Sequence, residues 1–229
     1  MNILNKFRKP SLSIILASLV LFVSCEQYEL NESIARIDYS LFEEFKNTNI
    51  DLSHLINTSK LNYDLSLTIE QELNEMFDVS LDLPQEFHEL NYKAGNILLE
   101  ESKSRGWINN EKHELILEFY NDLQLNGSNN AISNYETKIT NMDLNEDEFN
   151  KETLFLNAIK SLEYLGTFDT GYSKYTNGPC WWAIIVFAAA FVSLASCVTG
   201  FACGIAGIGY ISAGQYLVES CGSSNNQEE

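Results

Sequence analysis

Apolar positions recur at helical spacing through the middle of the chain. Ile69, Leu73, Met76 and Phe77 follow the i, i+4, i+7, i+8 rule of a single helix face. Pro84 suits the first turn of a second helix, which would carry Phe87, Leu90, Ala94, Ile97 and Leu98 and stop near Gly106. Leu115, Ile116, Phe119, Tyr120 and Leu123 define a third. Shorter helices are expected around Ile132, Tyr135 and Ile139, and from Ile34 to Phe45. The clearest start is Asn145, with Glu148 three residues on as its capping-box partner and Leu144 placed to staple against Phe149. That helix would continue through Leu154, Leu156, Ile159, Leu162 and Leu165. Strand signals are scarce, since Asn126-Gly127 leads into the polar run Ser128-Asn129-Asn130 and not into an alternating segment. The pattern predicts an all-α fold, with an amphipathic helical bundle over residues 33–165.

The character of the chain changes beyond Lys174, because no Asp, Glu, Lys or Arg follows until Glu219. Residues 166–179, rich in glycine and ending in Pro179, read as a linker. Two apolar arms follow, Trp181 to Ser196 and Ala202 to Val218, each about 25 Å long as a helix. Four cysteines punctuate them. Cys197 and Cys203 lie three residues either side of Gly200, and Cys180 and Cys221 lie 20 and 21 residues from it. A helical arm holds its own two cysteines roughly 25 Å apart, whereas a disulfide needs Cα atoms within about 7 Å. Bonds within an arm are therefore excluded, and folding the chain back at Thr199 and Gly200 favours the nested pairs Cys180–Cys221 and Cys197–Cys203. The expectation is a disulfide-stapled helical hairpin over residues 180–221, followed by a disordered tail at 222–229.

Small residues would let the two arms approach. Ser196, Gly200 and Gly204 are spaced by four, and Gly207 extends the series from Cys203. The outer side of the hairpin has two readings. It packs on the bundle as one soluble domain, or it enters a membrane with Trp181 and Trp182 as aromatic anchors at headgroup level. Membrane contact is the expectation carried forward.

At the other end, Lys6, Arg8 and Lys9 precede an uncharged run from Ser11 to Ser24. Its apolar core is too short to span a bilayer and has the order of a secretory signal peptide, residues 1–24. The tetrad Phe22-Val23-Ser24-Cys25 resembles the lipobox of bacterial lipoproteins, in which signal peptidase cleaves before a cysteine that becomes lipidated. Most lipoboxes carry Leu where Phe22 stands. The resemblance covers the first 25 residues alone. It implies acylation of Cys25, palmitate among the acyl chains, a tether over residues 25–32, and a lipid anchor in the bacterial cell envelope at the outer membrane or cell surface. Using Cys25 this way leaves four cysteines of five, an even number suited to pairing in an oxidising compartment.

Charge narrows the partners. The whole chain carries −18; removing Lys6, Arg8 and Lys9 leaves 11 basic against 32 acidic side chains, a net −21. Phosphate backbones would repel such a surface, so a nucleic-acid partner is not expected. The expected partners are a lipid membrane, through acylated Cys25 and through the hairpin, and a protein.

Catalytic and metal motifs start but do not complete. His88-Glu89 opens like a zinc-protease helix, but Tyr92 stands where the second histidine belongs, and His113-Glu114 ends in Leu117. Asp143, Asn145 and Asp147 match the first three ligands of a calcium loop, yet Glu148 and Leu154 occupy the positions that need Gly and a bidentate Glu. No metal, cofactor or catalytic residue is assigned. The sequence reads as a non-enzymatic envelope lipoprotein, a membrane-anchored helical interaction module. The alternative is a membrane-active, bacteriocin-like toxin whose hairpin perturbs bilayers after release at the linker.

Overall fold

The computed structural model describes residues 36–48, 50, 62–90, 95–168, 178–195 and 200–217. Nine helices and no strand occur among them. They are α1 Ser40–Asn47, α2 Asn62–Phe77, α3 Gln85–Leu90, α4 Gly95–Ser104, α5 Asn110–Asn126, α6 Ser128–Thr140, α7 Glu146–Tyr164, α8 Gly178–Leu194 and α9 Phe201–Leu217. The all-α expectation holds. Cys25, Ser196, Cys197, Thr199 and Cys221 lie outside the described residues, as do the segments read as signal peptide, tether and tail.

Local chemistry sets the helix ends. Asn145 caps α7 as expected: its side chain accepts from the Glu148 amide at 3.0 Å, and the Glu148 carboxylate accepts from the Asn145 amide at 3.1 Å. Asn109 caps α5 by accepting from the Lys112 amide at 2.8 Å. Gly127 alone separates α5 from α6. Its φ of 79° lies in the left-handed region, where a side chain would be strained, and this lets one residue reverse the chain. The single helix expected after Pro84 is two, α3 and α4, and residues 91–94 between them lie outside the description.

α8 and α9 were expected as an element added to the bundle; they form its centre. α8 packs against α4, α5 and α7, while α9 packs against α1, α2 and α7. Residues Ala183 to Phe191 are enclosed on every side, and so are Gly204 to Gly214. A helix that is apolar all round must be buried in protein or in lipid, and here five amphipathic helices supply the cover. The two run antiparallel, because a Cβ at Gly214 would meet Phe187 and one at Gly207 would meet Phe191. Interior glycines cost α9 about 1 kcal/mol each in helix propensity. Side chains packed into the space they leave, Leu41 at Gly204, Phe191 at Gly207, Leu73 at Gly209 and Phe187 at Gly214, offset that cost.

The amphipathic pattern located much of the core outside α8 and α9. Ile69, Leu73, Phe87, Leu98, Ile116, Phe119, Leu154, Leu156, Ile159 and Leu162 are all buried. Met76, Ile97 and Leu165, assigned to apolar faces by periodicity, are exposed. The start of the presumed linker is packed: Thr167 and Phe168 are buried, and the Phe168 ring meets Trp181 edge-on at 6.1 Å.

Candidate functional site

Two polar clusters sit inside this apolar architecture. The first begins on α2, where Ser66 and Glu70, one turn apart, share a face with Ile69 and Leu73. His88 enters from α3 and Tyr210 from the middle of α9. Ser66 Oγ lies 2.7 Å from His88 Nδ1 and 2.6 Å from the Tyr210 hydroxyl. His88 Nε2 lies 3.1 Å from Glu70 Oε2. All four are buried, with Ser66 and Tyr210 at 0% exposure, His88 at 2% and Glu70 at 8%. A carboxylate beside Nε2 favours the tautomer with its proton there. Ser66 Oγ is the shared partner of Nδ1 and the Tyr210 hydroxyl.

A serine on a histidine backed by a carboxylate is the order of a nucleophilic triad. The setting opposes that chemistry. Ser66 is fully enclosed, and its oxygen already pairs with Tyr210. What the arrangement does is tie three elements, α2, α3 and the central α9, by one hydrogen-bonded chain. His88 and Glu89 open an incomplete zinc-protease motif in the sequence; in the structure the carboxylate beside His88 is that of Glu70, and Glu89 is exposed.

The second cluster joins α5, α6 and α7. Lys112 pairs with the Glu152 carboxylate and donates to the Tyr135 hydroxyl at 2.9 Å, while Tyr135 donates to Glu152 at 2.7 Å. The ammonium also lies 4.4 Å from the centre of the Phe155 ring. Burial pulls the Lys112 amine below its ordinary value, against the opposing pull of Glu152. Burial and the neighbouring carboxylate push the Tyr135 phenol well up. Phe119, Tyr135 and Phe155 pack edge-on or tilted around the cluster, with ring centres 5.2 to 5.9 Å apart. A cavity of about 180 Å³ opens beside it, walled in part by Trp107, Met142, Val192 and Ser193.

The residues singled out in the hairpin are only partly brought together. Gly207 receives Phe191 of the other arm, whereas a Cβ at Gly204 would stand 2.7 Å from Leu41 of α1. Gly200 is exposed, and its carbonyl accepts the first bond of α9, from the Gly204 amide at 2.8 Å. Cys180 and Cys203 are buried. Trp181, expected at a membrane interface, is enclosed at 8% exposure and donates through its indole N–H to the Thr167 carbonyl at 3.0 Å. Trp182 is half-buried against Tyr120, with ring centres 5.0 Å apart. Among the described residues no helix is long and apolar enough to cross a membrane, and no group of three His, Cys, Asp or Glu is placed to hold a metal.

The fold and its two clusters thus define an all-α protein with an apolar helical pair at its centre. Comparison with known protein families, with curated proteins and with solved structures found no match.

Proposed function

We propose that this chain is a non-enzymatic lipoprotein of the bacterial envelope, anchored through acylated Cys25, whose helical domain is an interaction module carrying an apolar hairpin for contact with a membrane or protein partner. The observation that carries the reading is the pairing of a lipobox-like Phe22-Val23-Ser24-Cys25 with a domain that encloses an uncharged helical pair in an acidic amphipathic shell. A closed Ser66–His88–Glu70 cluster supports a structural role over a catalytic one. Labelled fatty acid should enter the wild type and not a Cys25→Ala variant; equal labelling of both removes the anchor.

The nested disulfides belong to the same reading. Neither Cys180 nor Cys203 is a free, titrating thiol. Each begins a different antiparallel helix, so the two stand at opposite ends of the pair, out of bonding reach of one another. Cys180–Cys221 and Cys197–Cys203 are the pairings of this reading, and on the chain-entropy account would stabilise the fold by roughly 4 and 2 kcal/mol.

The toxin-like alternative draws support from the internal packing of the pair, in which Phe187 seats at Gly214 and Phe191 at Gly207. Release would follow cleavage within residues 166–179. Intact liposomes after treatment with the cleaved, oxidised hairpin would count against it.

A further inference from the structure

The contacts of α8 and α9 divide into two kinds. Those within the pair hold the two helices to each other: Tyr210 lies nearly parallel to Phe187, with ring centres 5.9 Å apart, and stacks on Phe191 at 5.2 Å, while Phe87 of the shell packs against all three rings. The contacts within the pair travel with it wherever it goes. Those with the shell are apolar or aromatic: Leu41 at Gly204, Ile50 and Leu73 at Gly209, Phe87 at Phe187, Tyr120 at Trp182. Lipid tails are as apolar as leucine, so hydrocarbon can replace contacts of this second kind at little cost. Backbone groups in the interior of both helices are already paired, which is one condition for entering a bilayer.

Polar ties do not transfer in the same way. Trp181 holds Thr167 at the base of the pair, where an indole suits the headgroup layer equally well. Tyr210 differs, since it sits midway along α9, and its hydroxyl would have to leave Ser66 and His88 for hydrocarbon. The residues facing it from α8, Phe187 and Phe191, offer no polar substitute. The vacated shell is not stranded either. Its helices would keep apolar stripes opposite acidic faces, the form that lies flat in a bilayer interface.

Resting on the reading of the hairpin as a contact element, we propose that α8–α9 is a stored bilayer-entering unit and that the Tyr210–Ser66 hydrogen bond, backed by His88 and Glu70, is the latch that keeps it in the bundle. The partner is the hydrocarbon of a lipid membrane, entered from one side by the pair with Phe201 leading. Phe201, at the start of α9 beside Gly200, is already half-exposed. With 17 residues each, the helices reach about 25 Å. That is deep entry into the roughly 30 Å hydrocarbon layer without a full crossing.

The test uses the mature chain carrying Cys25→Ser, which separates entry of the hairpin from the lipid anchor, and Phe201→Trp as a probe at the tip. Uncharged phosphatidylcholine vesicles brominated near the acyl-chain ends avoid repulsion of the acidic shell and quench a tryptophan only at depth. The chain without the probe gives the baseline for Trp107, Trp181 and Trp182. Tip fluorescence should be quenched, and Tyr210→Phe should quicken the quenching about three- to tenfold, the change expected for one buried hydrogen bond. Ser66→Ala, which opens the latch from the shell side, should do the same and serves if Tyr210→Phe does not fold. An unquenched tip in latch variants that melt lower than the parent would show the pair to be core and nothing more. Equal rates in parent and variants would remove the latch. Neither result bears on acylation of Cys25, which fatty-acid labelling tests separately.

Discussion

A Cβ added at Gly95 would stand 2.7 Å from the Cα of Ala183, so the first turn of α4 rests directly on the backbone of α8. Backbone cannot yield as a flexible side chain does. Gly95→Ala should therefore destabilise the domain by about 1–3 kcal/mol, although alanine is the better helix former. Urea denaturation of the two proteins measures it; an unchanged midpoint would mean that α4 and α8 are less closely apposed.

Lys112 and Glu152 form a buried pair bridged by Tyr135. Removing one partner leaves the other charged and enclosed, at a cost of about 3–5 kcal/mol for Lys112→Ala. Replacing both by apolar residues of similar volume, Lys112→Met with Glu152→Leu, should recover most of that loss. A double-mutant cycle of unfolding free energies reads the difference, and additive single losses would show the pair to be uncoupled.

Alkaline pH should act through the buried phenols. Tyr135 and Tyr39 both titrate above the ordinary tyrosine value, each held up first by burial and then by a carboxylate, Glu152 and Glu136 respectively. Above about pH 10 the unfolded chain releases a phenolic proton that the folded chain retains. Their contribution is thus complete below pH 10 and is lost as pH rises beyond it. Lys112 works with the opposite sign, since its lowered amine makes the folded state gain as pH approaches the ordinary lysine value. Melting temperatures between pH 9 and 11 should fall more steeply in the wild type than in Tyr135→Phe.

The α7 start gives a smaller, local effect. Asn145→Ala removes one half of a capping box seen in both directions, and a loss of about 1 kcal/mol is expected. Because Asn145 and Glu148 are exposed, the change should leave the core intact, which near-ultraviolet circular dichroism will show.

Local signals and distant ones differ in how far the sequence exposes them. The Asn145 cap, the Leu115–Leu123 face and the break at Gly127 depend on neighbours within four residues, so their pattern is visible in the chain itself. Ser66, Glu70, His88 and Tyr210 meet across 22 and 144 residues, and no periodicity encodes that meeting. The one sign available was polar Ser66 and Glu70 on the apolar face of α2. Likewise Met76 and Ile97 fit the period but point outward, because pattern gives a face and not its width. Whether the uncharged arms sit in lipid or in protein is equally silent in composition, as both surroundings are apolar. The shell of α1, α2, α4, α5 and α7 decides it through tertiary packing.

Central burial of α8 and α9 also dictates the order in which the molecule can assemble. The middle of the structure follows all of its walls in the chain, so α1, α2 and α4 emerge from synthesis or translocation with nothing to close around. The aromatic cluster of Phe119, Tyr135 and Phe155, shared among α5, α6 and α7, is complete without the hairpin and can form early. The remaining helices wait, with apolar faces uncovered, until residues 178–217 arrive. For that interval the uncovered apolar faces are open to aggregation.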